Sequence, residues 1–382
     1  MARIVFWVST AFVLYTYAGY PILLGILQAL RRRRVRKAPV EPTVSLVIAA
    51  YNEADVIAHK IRNSLALDYP PDRLEIVIAS DGSTDGTASL AQAMAAAEGR
   101  GRVRVLAWPR NRGKVAVLND AVPQLRGDIV AFSDAACMLA PLALRELVAN
   151  FADPSVGAVS GVYQVVNKEG ATLGRQEDLY WKYETFLKLQ EARLGTLTGA
   201  HGSLYAMRRS LYPFPPLRTI NDDFVIPTSV VRQGYRIAYE TAAVAREEAR
   251  EMEGFGRRVR IAAGNIAQLR EIPALLWPPR PLVLLSFLSH KAARLAVPVA
   301  LCAALVSSAV LIGEPLYAAL VAAQLVFYAL AIFGALGHVR PKALRLPYYF
   351  CMINSALLVW VYYRLARPRG PRLAWRSTTK GA

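Results

Sequence analysis

From Ile4 to Leu30 the chain carries no charged residue, and Arg31-Arg32-Arg33-Arg34-Val35-Arg36-Lys37 follows at once. An apolar run of this length can cross the ~30 Å hydrocarbon core of a bilayer as a tilted helix. A secretory signal would be shorter, with its charge in front; here the charge sits behind the run and stops it. The arginine excess directs residue 31 onward to the cytoplasm and the N-terminus outside, as in a multi-pass protein of the cell (inner) membrane. Three more apolar runs, residues 295–312, 316–336 and 346–363, bring the membrane elements to four. If all four crossed, the basic tail of Arg364, Arg367, Arg369, Arg372, Arg376 and Lys380 would end outside, against the charge rule. The last run is therefore left open between a crossing and a re-entrant or interfacial segment.

A net charge of +18 would suggest nucleic acid in a soluble chain, but the basic residues lie beside apolar runs, where an anionic lipid bilayer is the nearer partner. Nucleic acid is not expected as a ligand. Cys137, Cys302 and Cys351 are far apart and lack C-x-x-C spacing, so neither disulfides nor a zinc site is expected.

After residue 37 the pattern changes. Val44-Ser45-Leu46-Val47-Ile48-Ala49-Ala50 is a short β-branched run, closed by the turn Tyr51-Asn52-Glu53 and followed by helical periodicity over residues 54–67. The unit repeats, with strands predicted over 74–80, 103–106 and 129–133 and helices over 87–98 and 115–125. Further on, a strand is expected over 156–166 and helices over 180–189 and after Asp223. Continuous apolar strands alternating with helices imply an α/β fold with a mostly parallel sheet covered on both faces. Ligands then gather at the carboxyl ends of the strands. The expected division is 1–37 as membrane helix and basic stop, 38–254 as a cytoplasmic α/β domain, 255–293 as an interfacial segment, 294–366 as the C-terminal membrane region, and 367–382 as a basic tail.

Polar and acidic residues collect where those strands end. Tyr51-Asn52-Glu53 follows the first, Ser80-Asp81-Gly82-Ser83-Thr84-Asp85 the second, and Ser133-Asp134-Ala135 the strand over 129–133. Carboxylates gathered around one crevice repel one another unless something cationic or hydroxyl-rich is held there. Each cluster also has a plainer reading as a turn or a helix cap, because Asp, Gly and Ser suit both. The pair Asp222-Asp223 could likewise cap the helix that follows it.

In this order, and with Asn111-Arg112-Gly113-Lys114, Leu118-Asn119 and Arg257-Arg258-Val259-Arg260, the motifs resemble those of the inverting family 2 glycosyltransferases of GT-A fold. The resemblance covers roughly residues 44–261 and points to the membrane branch that includes cellulose, chitin and hyaluronan synthases. It implies a nucleotide-sugar donor, a UDP-sugar foremost, held by Tyr51, Asn52, Glu53, Asp81 and Lys114. It implies that Asp134 is the first carboxylate of a D-x-D motif and binds Mg2+ or Mn2+. A hard divalent cation prefers such oxygen ligands and neutralises charge on the leaving diphosphate. The second D-x-D position is Ala136. Asp223 takes the place of the general base, with Asp222 in support. Arg257 and Arg260 stand where processive synthases carry Q-x-x-R-W, and guanidinium groups suit a diphosphate; with Arg257 for Gln and Ile261 for Trp, polymerisation stays open. These arginines could equally face lipid headgroups. Gly199 and His201 would border the acceptor, with Tyr180 and Trp181 offering aromatic faces to it.

The reading that follows is a membrane glycosyltransferase acting on a glycan acceptor in polysaccharide synthesis. Single addition to a polyprenyl-phosphate or other lipid-linked acceptor is the first alternative, and an inactive nucleotide-sugar-binding scaffold the second. A transporter would need more membrane elements and repeated halves. Gly113-Lys114 lacks the upstream glycine spacing of a P-loop.

Overall fold

The computed structural model describes residues 1–31, 33–166, 172–248, 259, 262–269, 280–336 and 346–366, without the side chains of residues 172–180 and 363–366. The chain forms two compact units, one holding a mixed β-sheet and the other the long apolar helices.

The strands of the first unit are β1 (Val44–Ala50), β2 (Leu74–Asp81), β3 (Val103–Trp108), β4 (Ile129–Asp134), β5 (Met138–Leu139), β6 (Val156–Val166), β7 (Tyr205–Arg208) and β8 (Arg236–Glu248). They make one 8-stranded sheet in the order β3-β2-β1-β4-β7-β6-β8-β5. Every residue of β1 is buried, as expected of a central strand covered on both faces. Helices Ala54–Leu65 and Thr87–Glu98 bury Ile57, Ile61, Ala91 and Met94 in the same core as Leu46, Ile48, Ile76 and Ile78.

The half-sheet β3-β2-β1-β4 is parallel throughout, in the alternation the sequence predicts. Beyond β4 the sheet departs from the expected pattern. β7 runs antiparallel to both β4 and β6, and β5 antiparallel to β8. The long β8 pairs parallel with β6 through two register shifts. The helix predicted over 180–189 runs from Thr172 to Leu194. The one predicted over 115–125 occupies Lys114–Ala121 and tightens to a 3-10 turn at Val122–Gln124, where Pro123 cannot donate to the α-helical ladder.

The strand registers align the parallel half so that its carboxyl ends share one rim. Ala50 pairs with Ser80, Ala49 with Asp134, and Asp81 with Trp108. Because β7 is reversed, the loop entering it arrives at that same rim: Phe132 pairs with Tyr205, and their rings stack at 4.8 Å. One reversed strand thus brings residues 199–203 beside Asp134.

The linker after the first helix is fastened to the sheet-bearing unit. Arg236 donates to the carbonyls of Arg33 and Arg34 and pairs with Asp153 at 2.6 Å, while Asp153 also accepts from the Arg36 amide. Lys37 pairs with Glu240 at 2.8 Å and with Glu146. Part of the arginine-rich stop is therefore engaged with protein.

In the second unit, helices Ala2–Leu30, Pro281–Val310 and Pro315–Ala335 are each long and apolar enough to cross a membrane, and Leu346–Tyr362 is a shorter apolar helix. Their outward faces expose Ile4, Trp7, Val299, Val306 and Leu325, as lipid-facing surfaces do. This is a membrane protein. The helix from Pro281 starts well before the apolar run at residue 295, because Ser289, His290 and Lys291 lower its hydropathy without interrupting it. They lie in a π-turn, Leu288–Ala292, opposite a second one at Tyr15–Gly19, and Tyr15 Oη meets Ser289 Oγ at 2.7 Å. Arg3 pairs with Glu314 at 2.8 Å and Phe6 packs on Tyr317, so the start of the first helix and the start of Pro315–Ala335 lie at one end.

Candidate active site

The turns at the ends of β1 and β2 are stitched to each other by hydrogen bonds. Asn52, held at φ 53°, accepts the Thr84 amide on Oδ1 at 2.8 Å, and its own amide donates to Ser83 Oγ. The Glu53 amide donates to Thr87 Oγ1 and the Ala54 amide to Asp85 Oδ2. Burial works against the charge of Asp85, yet the hydrogen bonds from Thr87 and Ala54 hold its carboxyl below the usual range. Gly82 permits the turn: its φ is +65°, and a Cβ there would lie 2.3 Å from the backbone of Arg110 and Asn111.

Asp81 faces the protein. It is fully buried, and its two carboxylate oxygens accept the amides of Arg112 and Gly113, each at 2.8 Å. Both Oδ atoms are committed to fixing the loop that leads into helix Lys114–Ala121. Lys114, first in that helix, is largely buried between two carboxylates, with Nζ 2.9 Å from Asp134 Oδ1 and 3.1 Å from Asp222 Oδ2. The Asp222 contact is an ion pair out of hydrogen-bond alignment. Burial opposes the charge on Lys114, but the two carboxylates outweigh it and hold the ammonium well above the usual lysine range.

Asp222 and Asp223 open helix Asp222–Arg232, whose N-cap is Asn221, and no side chain makes a capping bond there. The acidic pair is therefore not a cap, although its charge suits the helix N-terminus. Asp222 is buried. Burial pushes its carboxyl up, against the pull of Lys114 and with the push of Asp223 and Asp134. Asp223 and Asp134 meet at Gly202: a Cβ there would lie 3.5 Å from Oδ2 of each. The two oxygens thus face one space that a glycine leaves open. The Asp134 side chain is 43% exposed, so that space opens to solvent.

The loop before β7 is pinned on several sides. Gly199, at φ +75°, donates to Thr228 Oγ1 at 2.9 Å, Ala200 donates to the Asp223 carbonyl at 2.7 Å, and Lys188 donates to the Ala200 carbonyl. The ring of His201 turns inward, with Nε2 3.0 Å from Tyr239 Oη and with Trp181 packed edge-on at 5.4 Å. Trp181 also packs edge-on against the buried Tyr163, so its ring is shared between this cluster and the core. Tyr51 is half-buried beside Asn52. The side chain of Tyr180, and Arg257 and Arg260, lie outside the described residues.

Of the residues singled out by sequence, the structure brings Lys114, Asp134, Asp222, Asp223 and the Gly199–His201 loop to one rim, with the Tyr51–Glu53 turn and Asp81 bracing it. Gly202, Lys60 and Ser133 are not among the site residues that the sequence marks, though Ser133 stands inside Ser133-Asp134-Ala135. A lysine at a helical position that otherwise faces the core was the one available signal for Lys60.

Residues 45–213 match the family described as Glycosyl transferase family 2. They form a family 2 glycosyltransferase domain. The curated poly-beta-1,6-N-acetyl-D-glucosamine synthase of Staphylococcus aureus is 30% identical to this chain over 253 residues, which are 64% of this chain and 60% of the relative. The probable glycosyltransferase YdaM of Bacillus subtilis is 28% identical over 239 residues, 59% of this chain and 55% of that one. The chain thus spans about 60% of the length of the synthase it matches. Among solved structures, mannosyltransferase PcManGT from Pyrobaculum calidifontis, in complex with GDP-Man and Mn2+, is similar over 96% of this chain and 99% of its own, with TM-score 0.71 and 25% identity. The family 2 domain here accordingly has the GT-A arrangement, with apolar helices at both ends of the chain.

No group of three or more His, Cys, Asp or Glu side chains with metal-ligand geometry occurs among the described residues. The polar atoms nearest to a Cβ at Gly202 are the Oδ2 atoms of Asp134 and Asp223, and, among the described residues, Asp222 Oδ2 and Tyr205 Oη are buried without a hydrogen-bond partner. The Oδ2 atoms of Asp134 and Asp223 at this gap fit Mg2+ or Mn2+, which keep waters and substrate phosphates in their coordination shell and need only one or two protein carboxylates.

Proposed function

We propose that this protein transfers a sugar from a nucleotide-sugar donor to a hydroxyl of a glycan acceptor with inversion at the anomeric carbon. The single observation that carries this reading is the convergence of Asp134 and Asp223 on the gap at Gly202. One carboxylate is suited to the donor's diphosphate side and the other to the acceptor.

Asp223, on the first turn of its helix and facing the open gap, takes the proton of the acceptor hydroxyl as its oxygen bonds to the anomeric carbon. The bond from that carbon to the diphosphate breaks in the same displacement, and the nucleoside diphosphate leaves with the electron pair. Asp222 and Lys114 fix the electrostatics beneath. Asp134 would hold Mg2+ or Mn2+, which supplies countercharge for the diphosphate when bound. The Tyr51–Glu53 turn faces the donor, and Asp81 serves it at one remove by holding the Arg112–Gly113 loop. Arg257 and Arg260 remain candidates for the diphosphate on their sequence alone.

The similarity to a poly-beta-1,6-N-acetyl-D-glucosamine synthase supports polysaccharide synthesis from a UDP-sugar, and the similarity to a mannosyltransferase bound to GDP-Man supports a second donor class. Single addition to a lipid-linked acceptor is favoured by one observation, Ile261 in the place of the tryptophan of Q-x-x-R-W. The arginine excess at residues 31–37 argues for the transferase domain on the cytoplasmic side of the inner membrane.

The test is a panel of UDP- and GDP-sugars offered to membranes carrying the protein, with release of nucleoside diphosphate measured. One donor is turned over with Mn2+ or Mg2+, and EDTA stops the release. Turnover of no nucleotide sugar, or full turnover in EDTA, would overturn the corresponding half of the reading.

A further inference from the structure

Lys60 has no part in the chemistry above, yet among the described residues of the sheet-bearing unit it is the least exposed cation. It lies on helix Ala54–Leu65, fully buried, and its Nζ donates to Ser133 Oγ at 2.8 Å and to the Cys137 carbonyl. Among the described residues it sits in no ion pair. Burial pushes the ammonium down to about 8, against the weaker support of Cys137 and Asp134. A position that served packing alone would be filled by a leucine or methionine at no such cost.

Its two partners flank Asp134. Ser133 precedes that residue, and Cys137 closes the turn after it, with the Cys137 amide bonded to the Asp134 carbonyl. Ser133 Oγ carries one hydrogen. An ammonium is a donor only, so the hydroxyl must accept from Lys60 and spend its own hydrogen elsewhere. Two carbonyls are within reach, Ser203 at 2.8 Å and Asp134 at 3.4 Å, and the shorter is Ser203. Ser203 follows Gly202. A chain of fixed polarity, Lys60 to Ser133 to Ser203, therefore ties the turn of Asp134 to the loop of Gly202.

We propose that Lys60 is a positioning residue for sugar transfer, which through Ser133 locks the donor-side turn of Asp134 to the acceptor-side loop of Gly202 and so sets the gap that Asp134 and Asp223 share. The assignment rests on the functional reading above for what that gap holds, but the mechanical link does not.

The test uses the full chain in detergent and three variants, Lys60→Met, Ser133→Ala and the double. The first readout needs no turnover: hydrogen exchange at the amides of Cys137, Ala200 and Leu204, all bonded in the native fold. Each single substitution should speed exchange on both sides of the link, at Cys137 and at Ala200 and Leu204, by about tenfold. The second readout is steady-state kinetics with whichever nucleotide sugar of the panel is turned over. There kcat should fall by about 100-fold while the donor KM stays within about threefold, and the double should lose no more than the worse single. Ser133→Ala removes one oxygen, and it decides the matter if Lys60→Met does not fold. Exchange altered only beside the substituted residue, a loss confined to KM, or losses that multiply in the double would each overturn the proposal. Absence of turnover in the parent protein would instead count against the functional reading, and the exchange arm would then decide the link alone.

Discussion

At the level of single residues, the proposed sugar transfer turns on two carboxylates, Asp134 and Asp223, that meet at one gap. Asp223 reaches it with a carboxylate that pairs with no side chain among the described residues, while Asp222 beneath is paired with Lys114. Replacing Asp223 by asparagine keeps the shape and removes the proton acceptor. Asp223→Asn should lower kcat by about 10³-fold with donor affinity retained, as checked by nucleoside diphosphate binding beside turnover. Gly202→Ala probes the gap from the other side. Its methyl would sit at ordinary contact distance from both carboxylates, and the backbone there is not left-handed. The variant should therefore melt within about 2 °C of the parent while kcat/KM falls by about tenfold or more. An unchanged kcat/KM would mean that nothing reacts in that space.

Among the elements, the strap from Arg33 to Lys37 is held by buried electrostatics. Burial opposes the charge on Asp153, but hydrogen bonds from Ser155, the Arg36 amide and Arg236 hold its carboxyl well below the usual range. A carboxyl so depressed contributes stability that is complete above its unfolded value of about 3.9 and is lost as pH falls through the folded value. Asp153→Asn should cost about 3 kcal/mol at neutral pH, because it leaves Arg236 buried without its partner. Thermal melts at pH 7 and pH 3 check both points, since the gap between parent and variant should narrow in acid. The parallel strands and their helices were legible because each is a continuous apolar run closed by a polar turn. β7 is only Tyr205–Arg208, too short for a period to register, and β8 passes through four consecutive buried residues before any alternation, with alanines and glutamates that propensity assigns elsewhere. Motif carboxylates at strand ends were legible for the same reason as the strands. What stayed hidden was orientation: the sequence alone does not show that the two oxygens of Asp81 turn onto the amides of Arg112 and Gly113, or that Lys60, on the core-facing side of its helix, reaches Ser133.

On the scale of the molecule, two membrane helices share an end through Arg3 and Glu314. In a cysteine-free background, Ala2→Cys and Gly313→Cys should react with a membrane-impermeant maleimide from the same side of intact cells. Arg100→Cys in the sheet-bearing unit should be shielded until the cells are opened. Labelling of Arg100→Cys in intact cells, with Ala2→Cys and Gly313→Cys protected, would reverse the topology argued from the arginine excess. The sheet itself is two halves joined along a single short ladder, Ile129–Phe132 against Tyr205–Arg208. Side chains on a strand alternate between faces, so inserting one residue between Ser203 and Tyr205 would turn Tyr205 away from Phe132 and carry the loop before it out of line with Asp134. Length changes among descendants of this chain should therefore be purged at that seam and tolerated in the surface turn around Gly99–Gly101, which makes the seam a fixed point about which acceptor preferences can diverge.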